Sequence, residues 1–337
     1  MKMKDVLSDG ATVAGCCIGV GFLSGKEAQL FWGNFAGICI FALCFFVANT
    51  VLRRFCYQKN CKNVADLLHA CFPKTAGVFL TLFLTCSFVC VVTMLAGVQD
   101  CAASFFPTPL PLFSVAVAVI SALLLKKGLT ALKVLNALSL LLAVAYLVAL
   151  AFTTNNTFQR AETPLFMPIQ YALFSTTMSL GVIVPMSQSK RNTQATLVAT
   201  ALLTIAMLAV LYISDFSLNL PLFAKTDNVA VNILGCAAIV LTTVIGVVAN
   251  ALPLTDFLET VIPDKTLTLF TLFCPALAFS LFGFDFALKY GYVFVSAVGL
   301  VLLLTATVKL GKKCGHFSHK KSMCKNCNFG HGLYTKR

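Results

Sequence analysis

The sequence predicts an all-α, polytopic membrane protein of about ten transmembrane helices. Three observations carry that expectation. Of 337 residues, 59% are hydrophobic and only 11% charged, with a mean hydropathy of +0.90; a soluble domain keeps far more charge on its surface. The apolar residues fall in runs matched to a hydrocarbon core of about 30 Å, which takes about 20 residues of helix. Lysine and arginine are unevenly shared between the segments that join those runs.

The first span covers about Asp9 to Phe31 and the second about Gly33 to Leu52, with Trp32 at the interface between them. A polar segment, RRFCYQKNCKN, and then VADLLHACF lead to a long third span, about Lys74 to Phe105. The proline cluster at Pro107, Pro109 and Pro111 ends it, because proline removes a helix donor. The fourth runs from about Leu110 to Leu125, the fifth from Leu129 to Thr153 and the sixth from Pro164 to Gln188. The seventh covers about Thr193 to Ser214, the eighth Asn228 to Asn250, the ninth Leu267 to Phe282 and the tenth Phe286 to Lys309.

Orientation follows from the rule that short loops rich in lysine and arginine stay in the cytoplasm. With the N-terminus inside, the inner segments hold Arg53, Arg54, Lys59, Lys62, Lys126, Lys127, Lys190, Arg191, Lys265 and the tail, whereas the outer ones hold Arg160, Lys225 and Lys289. Both ends are expected in the cytoplasm, and the net charge of +13 is expected to meet anionic lipid rather than nucleic acid. No cleavable signal peptide is expected, since the first apolar run leads directly into a second span. The fifteen cysteines lie mostly singly in the apolar spans, where a thiol behaves as a small hydrophobe; Cys56 and Cys61 are expected in a cytoplasmic loop, reduced.

The first span is interrupted. Gly19, Gly21, Ser24, Gly25, Lys26 and Glu27 fall together in its middle, and clustered glycines free backbone groups to face a ligand. In a bilayer such a break is tolerated where it is buried in protein or lines a cavity, and an ionisable residue at that depth marks a site. The alternative is that Lys26 and Glu27 neutralise each other near the outer interface. Ten spans divide into two halves of five with opposite orientation, a transporter architecture in which the first helix of each half is discontinuous. The sixth span should then break as well, and Ser175, Thr176, Thr177, Ser179 and Gly181 lie at its mid-depth, ahead of Pro185. Close helix contact is the other use of such small residues.

GVGFLSGKEAQLFWG at 19–33 resembles the glycine-rich first-helix signature of the bacterial YkvI-like membrane proteins. VTMLAG at 92–97, GLTALKVLNAL at 128–138 and YALFSTTMSLGVIVP at 171–185 are similar too, so the resemblance spans most of residues 1–310. That family is similar to the amino acid, polyamine and organocation transporters with a LeuT-type five-plus-five inverted repeat. The resemblance implies a transporter domain at 1–310, with repeats at about 1–153 and 164–310, in a bacterial inner membrane. Its substrate would meet the backbone at Gly19 to Gly25 and at Ser175 to Gly181, with Glu27 taking a substrate ammonium or carrying a proton. A sodium site would use carbonyls of the first helix and the hydroxyls of Thr242 and Thr243, whose other use is back-bonding within the helix. Lys133, in the fifth helix, would replace sodium as a proton-exchanging group, or snorkel to the interface.

The segment 311–337 is a basic cytoplasmic tail outside that resemblance. Cys324-x-x-Cys327 has zinc-knuckle spacing, and Cys314, His316, His319 and His331 are available to complete four ligands. A basic tail lying on the lipid surface is the alternative. Enzymatic readings fare poorly: the sequence has no HExxH or GxSxG, and Gly19-x-Gly21 lacks the preceding strand of a dinucleotide loop. The sequence therefore points to a secondary transporter of a small, amino-acid-like organic solute coupled to sodium or protons. A membrane sensor or regulatory subunit signalling through the tail is the second reading.

Overall fold

The structure is a computed structural model. It describes residues 3–104, 111–126, 129–153, 161–188, 192–218, 220–222 and 228–323, the side chains of 129–133 and 312–323 excepted. Every regular element among the described residues is helical: α1 Met3–Cys17, α2 Val20–Leu23, α3 Phe35–Lys59, α4 Val64–Cys71, α5 Ala76–Ala103, α6 Leu112–Leu125, α7 Leu129–Thr153, α8 Phe166–Met178, α9 Leu180–Met186, α10 Asn192–Ile213, α11 Val229–Leu258, α12 Lys265–Ser280, α13 Phe284–Phe286 and α14 Tyr292–Met323. Two π-helical turns, Ala28–Trp32 and Ala287–Gly291, lead towards α3 and α14.

Among the described residues, six helices are long and apolar enough to cross a membrane, and α8 with α9 makes a seventh as a pair bent by 61°. Shorter apolar helices are α6 and α12. Together they make a polytopic helical membrane protein. Several helices start where a side chain accepts an amide that the first turn leaves free: Asn34 from Gly37 at 2.7 Å, Asn63 from Asp66 at 2.8 Å and Asp264 from Thr266 at 2.7 Å. Asn60, in the left-handed region at φ 55°, ends α3.

Several boundaries differ from the sequence expectation: α1 begins at Met3 rather than Asp9, α11 runs on to Leu258 rather than Asn250, and α14 continues past Lys309 to Met323. The second span runs on to Lys59, so Arg53 and Cys56 are helical and buried instead of lying in a polar loop. VADLLHACF, expected as part of a connecting loop, forms α4, whose Val64, Leu67, Leu68 and Cys71 are buried. A helix with one such apolar face is short for a span but sufficient to lie against the bundle.

The interrupted helices are central. α1 packs on α10, α7 and α11, while α8 is held between α3 and α14. Gly10 lets α1 approach α10, since a Cβ there would come within 2.6 Å of Val198. Asn136 of α7 donates to the carbonyls of Ala11, at 3.3 Å, and Thr12, at 2.8 Å, just before α1 ends.

Candidate functional site

The first helix breaks twice, at Ile18–Gly19 and at Ser24–Gly25, and α2 between the breaks is a single turn. Gly25 takes φ +78°, which a side chain would strain. This turn delivers Glu27 into the protein interior, 3% exposed. Its side chain lies along Gly21, where a Cβ would stand 2.5 Å from Glu27 Oε1 and 2.7 Å from Cγ. Gly21 is thus the space that the carboxylate occupies.

Two tyrosines complete the carboxylate. Tyr292, the first residue of α14, donates its hydroxyl to Glu27 Oε1 at 2.5 Å, and Tyr171 of α8 donates to Oε2. Rings close around them at small angles. Tyr292 stacks on Phe174 at 3.5 Å and on Phe31 at 5.4 Å, and Phe31 stacks on Tyr171 at 5.6 Å. Phe31 belongs to one π-helical turn and Tyr292 directly follows the other. Such turns are frequent at functional sites.

The segment expected as the sixth span also breaks. Ser179 sits between α8 and α9 with its hydroxyl bonded back to the carbonyls of Ser175, at 2.8 Å, and Thr176, at 3.0 Å, a bond that competes with the helix ladder and bends it. The two breaks touch, because the Cys17 thiol donates to the Ser175 carbonyl at 3.6 Å. Gly19, Gly21, Glu27 and Ser175 line one cavity together with Thr93, Phe174 and Tyr292. It holds about 10 Å³, on the order of what one water needs. The Ser175 hydroxyl there has no hydrogen-bond partner.

The remaining substrate-contact candidates face elsewhere. Ser24 bonds the Gly21 carbonyl at 3.1 Å, and Gly25 lies under Pro221, Leu222 and Ser214. Thr176 accepts from Asn49 of α3 at 3.1 Å, Thr177 bonds back to Leu173 at 2.7 Å, and Gly181 faces Ala249 and Pro253 of α11. Of the candidate ion ligands, Thr242 bonds back to Ala238 at 2.9 Å, whereas the buried Thr243 hydroxyl has no hydrogen-bond partner. Lys133 lies in α7 with its side chain outside the described residues, as are those of Cys314, His316 and His319 at the end of α14; Cys324, Cys327 and His331 lie wholly outside them. Among the described residues no group of three or more His, Cys, Asp or Glu is placed to hold a metal.

The adjacent Lys26 turns away to Asp285, 3.1 Å from it, and Asp100 accepts from the Phe284 amide at 3.3 Å in the same region. Lys289 lies over the Tyr290 ring at 5.6 Å. At this end of the bundle the site is covered. Leu222 donates to the Ser24 carbonyl at 3.1 Å, Gln29 to Phe216 at 3.0 Å, and Ala161 to Gly33 at 2.9 Å. At the opposite end, a cavity of about 570 Å³ reaches between α4, α9, α11 and α12 to Gly181 and Pro185.

Sequence reasoning did not single out Tyr171, Tyr292, Phe31, Phe174 or Asn136. For the tyrosines a signal existed, since a hydroxyl in an apolar span needs a partner when buried. The arc of rings had none, because Phe31 and Tyr292 each lie more than a hundred residues from Tyr171 and Phe174.

No family model and no curated protein matches the chain. Among solved structures it is similar to MHP1, a nucleobase-cation-symport-1 family transporter, in a closed conformation with bromovinylhydantoin bound, with a TM-score of 0.57 and 15% identity over 88% of this chain and 74% of that one. At that identity the likeness is one of fold. The chain has the fold of a membrane transporter.

Proposed function

We propose that this protein is a secondary active transporter that moves a small, nitrogen-bearing organic solute of amino-acid-like size by alternating access around Glu27. One observation carries the reading: the first helix breaks to present a carboxylate, and a tyrosine of the equally broken sixth span closes on it. Interrupted helices meeting inside a bundle are how many transporters hold a solute without paying for unsatisfied backbone in lipid.

In this reading residues 1–310 are the transporter domain, built as a LeuT-type five-plus-five repeat of ten spans, with halves at 1–153 and 164–310 and a cytoplasmic tail at 311–337. The resemblance of 19–33 to the YkvI-like proteins supports a bacterial inner membrane, with both termini in the cytoplasm. The coupling ion is sodium or the proton. Thr243, with its unspent hydroxyl, is the sodium candidate, Lys133 and Glu27 are the proton candidates, and Thr242 is committed to its own helix. The tail residues Cys314, His316, His319, Cys324, Cys327 and His331 are a zinc-binding candidate that transport does not require.

The test is gradient-driven uptake of labelled solutes into proteoliposomes, with sodium and proton gradients imposed separately. Accumulation above equilibrium, abolished by Glu27→Gln in a protein that inserts normally, supports the proposal. A protein that binds a solute through Glu27 but gives no flux under either gradient contradicts it and favours the sensor, whose signal would depend on the tail.

A further inference from the structure

We infer that the solute is an organic ammonium ion with an apolar or aromatic body, and that a carboxylate on it is not required for binding. The inference rests on the reading of the Glu27 cavity as the substrate site. It comes from the balance of charge and the shape of the walls.

Glu27 is the charged residue among those lining the cavity; the others are apolar, thiol or hydroxyl groups and glycines. The cation next to it in sequence, Lys26, is directed to Asp285 at 3.1 Å. A carboxylate taken out of water is costly until something supplies hydrogen bonds and positive charge. The Tyr171 and Tyr292 hydroxyls supply the bonds but no charge. An ammonium supplies both, and its N–H donors replace hydroxyl donors one for one.

The walls complete a receptor for a cation. Phe174 and Tyr292 line the cavity beside Glu27 and Phe31 stacks on Tyr292; parting these rings would expose their faces, and an ammonium within about 6 Å of such a face is attracted by the ring quadrupole. With about 10 Å³ open, the rings themselves fill the site, so a solute enters by parting the 3.5 Å stack of Phe174 and Tyr292. Those same ring faces then flank its body.

A solute carboxylate has no comparable partner. Among the described residues the lining contains no arginine, lysine or histidine. The helix starting at Val20 has four residues, too few to build a macrodipole.

The experiment uses the full-length protein in nanodiscs and its single tryptophan. Trp32 stands 5.5 Å from Phe22 of α2 and 6.4 Å from Tyr171, so rearrangement at Glu27 alters its emission. The probes are 2-phenylethylamine, 2-phenylethanol, phenylalanine, 3-phenylpropionate and uracil, each titrated separately. The expected result is a saturable change with phenylethylamine, at least tenfold tighter than with any other probe and weakened at least tenfold by Glu27→Gln. Phe174→Leu, which keeps an apolar side chain but removes a ring, is expected to weaken the amine severalfold and serves where the Gln variant does not fold.

Tighter binding of phenylalanine, the alcohol or uracil overturns the ammonium inference and leaves the substrate site standing. No saturable response to the amine overturns the inference as well. Amine binding unchanged in Glu27→Gln and in Phe174→Leu overturns both the inference and the site.

Discussion

The Tyr292 hydroxyl donates to Glu27 Oε1 at 2.5 Å across 265 residues of sequence. The bond joins the start of α14 to the broken first helix, and Tyr171 joins α8 to the same carboxylate. A hydrogen bond to a charged group contributes about 1.5–3 kcal/mol. Tyr292→Phe and Tyr171→Phe are therefore each expected to destabilise the closed protein by about that amount. Thermal unfolding in detergent reads this, and the double variant should be non-additive because one carboxylate serves both.

Gly19 and Gly21 are both expected to be required on sequence grounds, yet their surroundings differ. A Cβ on Gly21 would collide with the Glu27 carboxylate at 2.5 Å, whereas one on Gly19 meets only Met94 Cε at 3.4 Å, an ordinary contact. Gly21→Ala should abolish or strongly weaken solute binding while the protein still inserts, and Gly19→Ala should leave binding within about threefold, a difference below about 0.7 kcal/mol. Equal loss in both variants would show that backbone freedom, not room for Glu27, is what the glycines provide.

Gly15 and Asn136 make a second test by collision. A Cβ on Gly15 would fall 1.8 Å from Asn136 Oδ1, and Asn136 cannot move without leaving the Ala11 and Thr12 carbonyls. Gly15→Ala is expected to cost about 1–3 kcal/mol, the usual range for overfilling a tight contact. Adding Asn136→Ala should recover part of that loss in the same melting assay.

The Lys26–Asp285 pair is unequal, with side chains 11% and 72% exposed. Such a pair contributes about 1 kcal/mol or less and is screened by salt. Asp285→Asn should therefore lower thermal stability slightly at low ionic strength, with the difference shrinking as salt is added. A large, salt-independent loss would show that Asp285 supports the bundle in some way other than by this ion pair.

Much of this architecture is legible in the sequence, for identifiable reasons. Glycines cluster where α1 gives way to α2, and hydroxyls cluster where α8 gives way to α9, because each break needs those residue types locally. Glu27 is conspicuous because a lone carboxylate in an apolar run is expensive. Its partners are not, since Tyr171 and Tyr292 meet only through the fold. Arg53 departs from its expected place for the opposite reason. Its charge suggested a loop, yet the helix continues to Lys59 and leaves the guanidinium 1% exposed, with no hydrogen-bond partner on any of its three nitrogens. The sequence neighbours Lys26 and Glu27 look like a pair and are not one in space, because the turn at Gly25 and the π-helical turn that follows aim them at different elements.

The most direct measurement is a cryo-electron microscopy map of the protein with a solute that it accumulates. The account expects density for that solute between Glu27 and the rings of Phe174 and Tyr292, with the Tyr292 hydroxyl displaced from Oε1. Density elsewhere in the bundle, with the Glu27–Tyr292 bond intact, would contradict it.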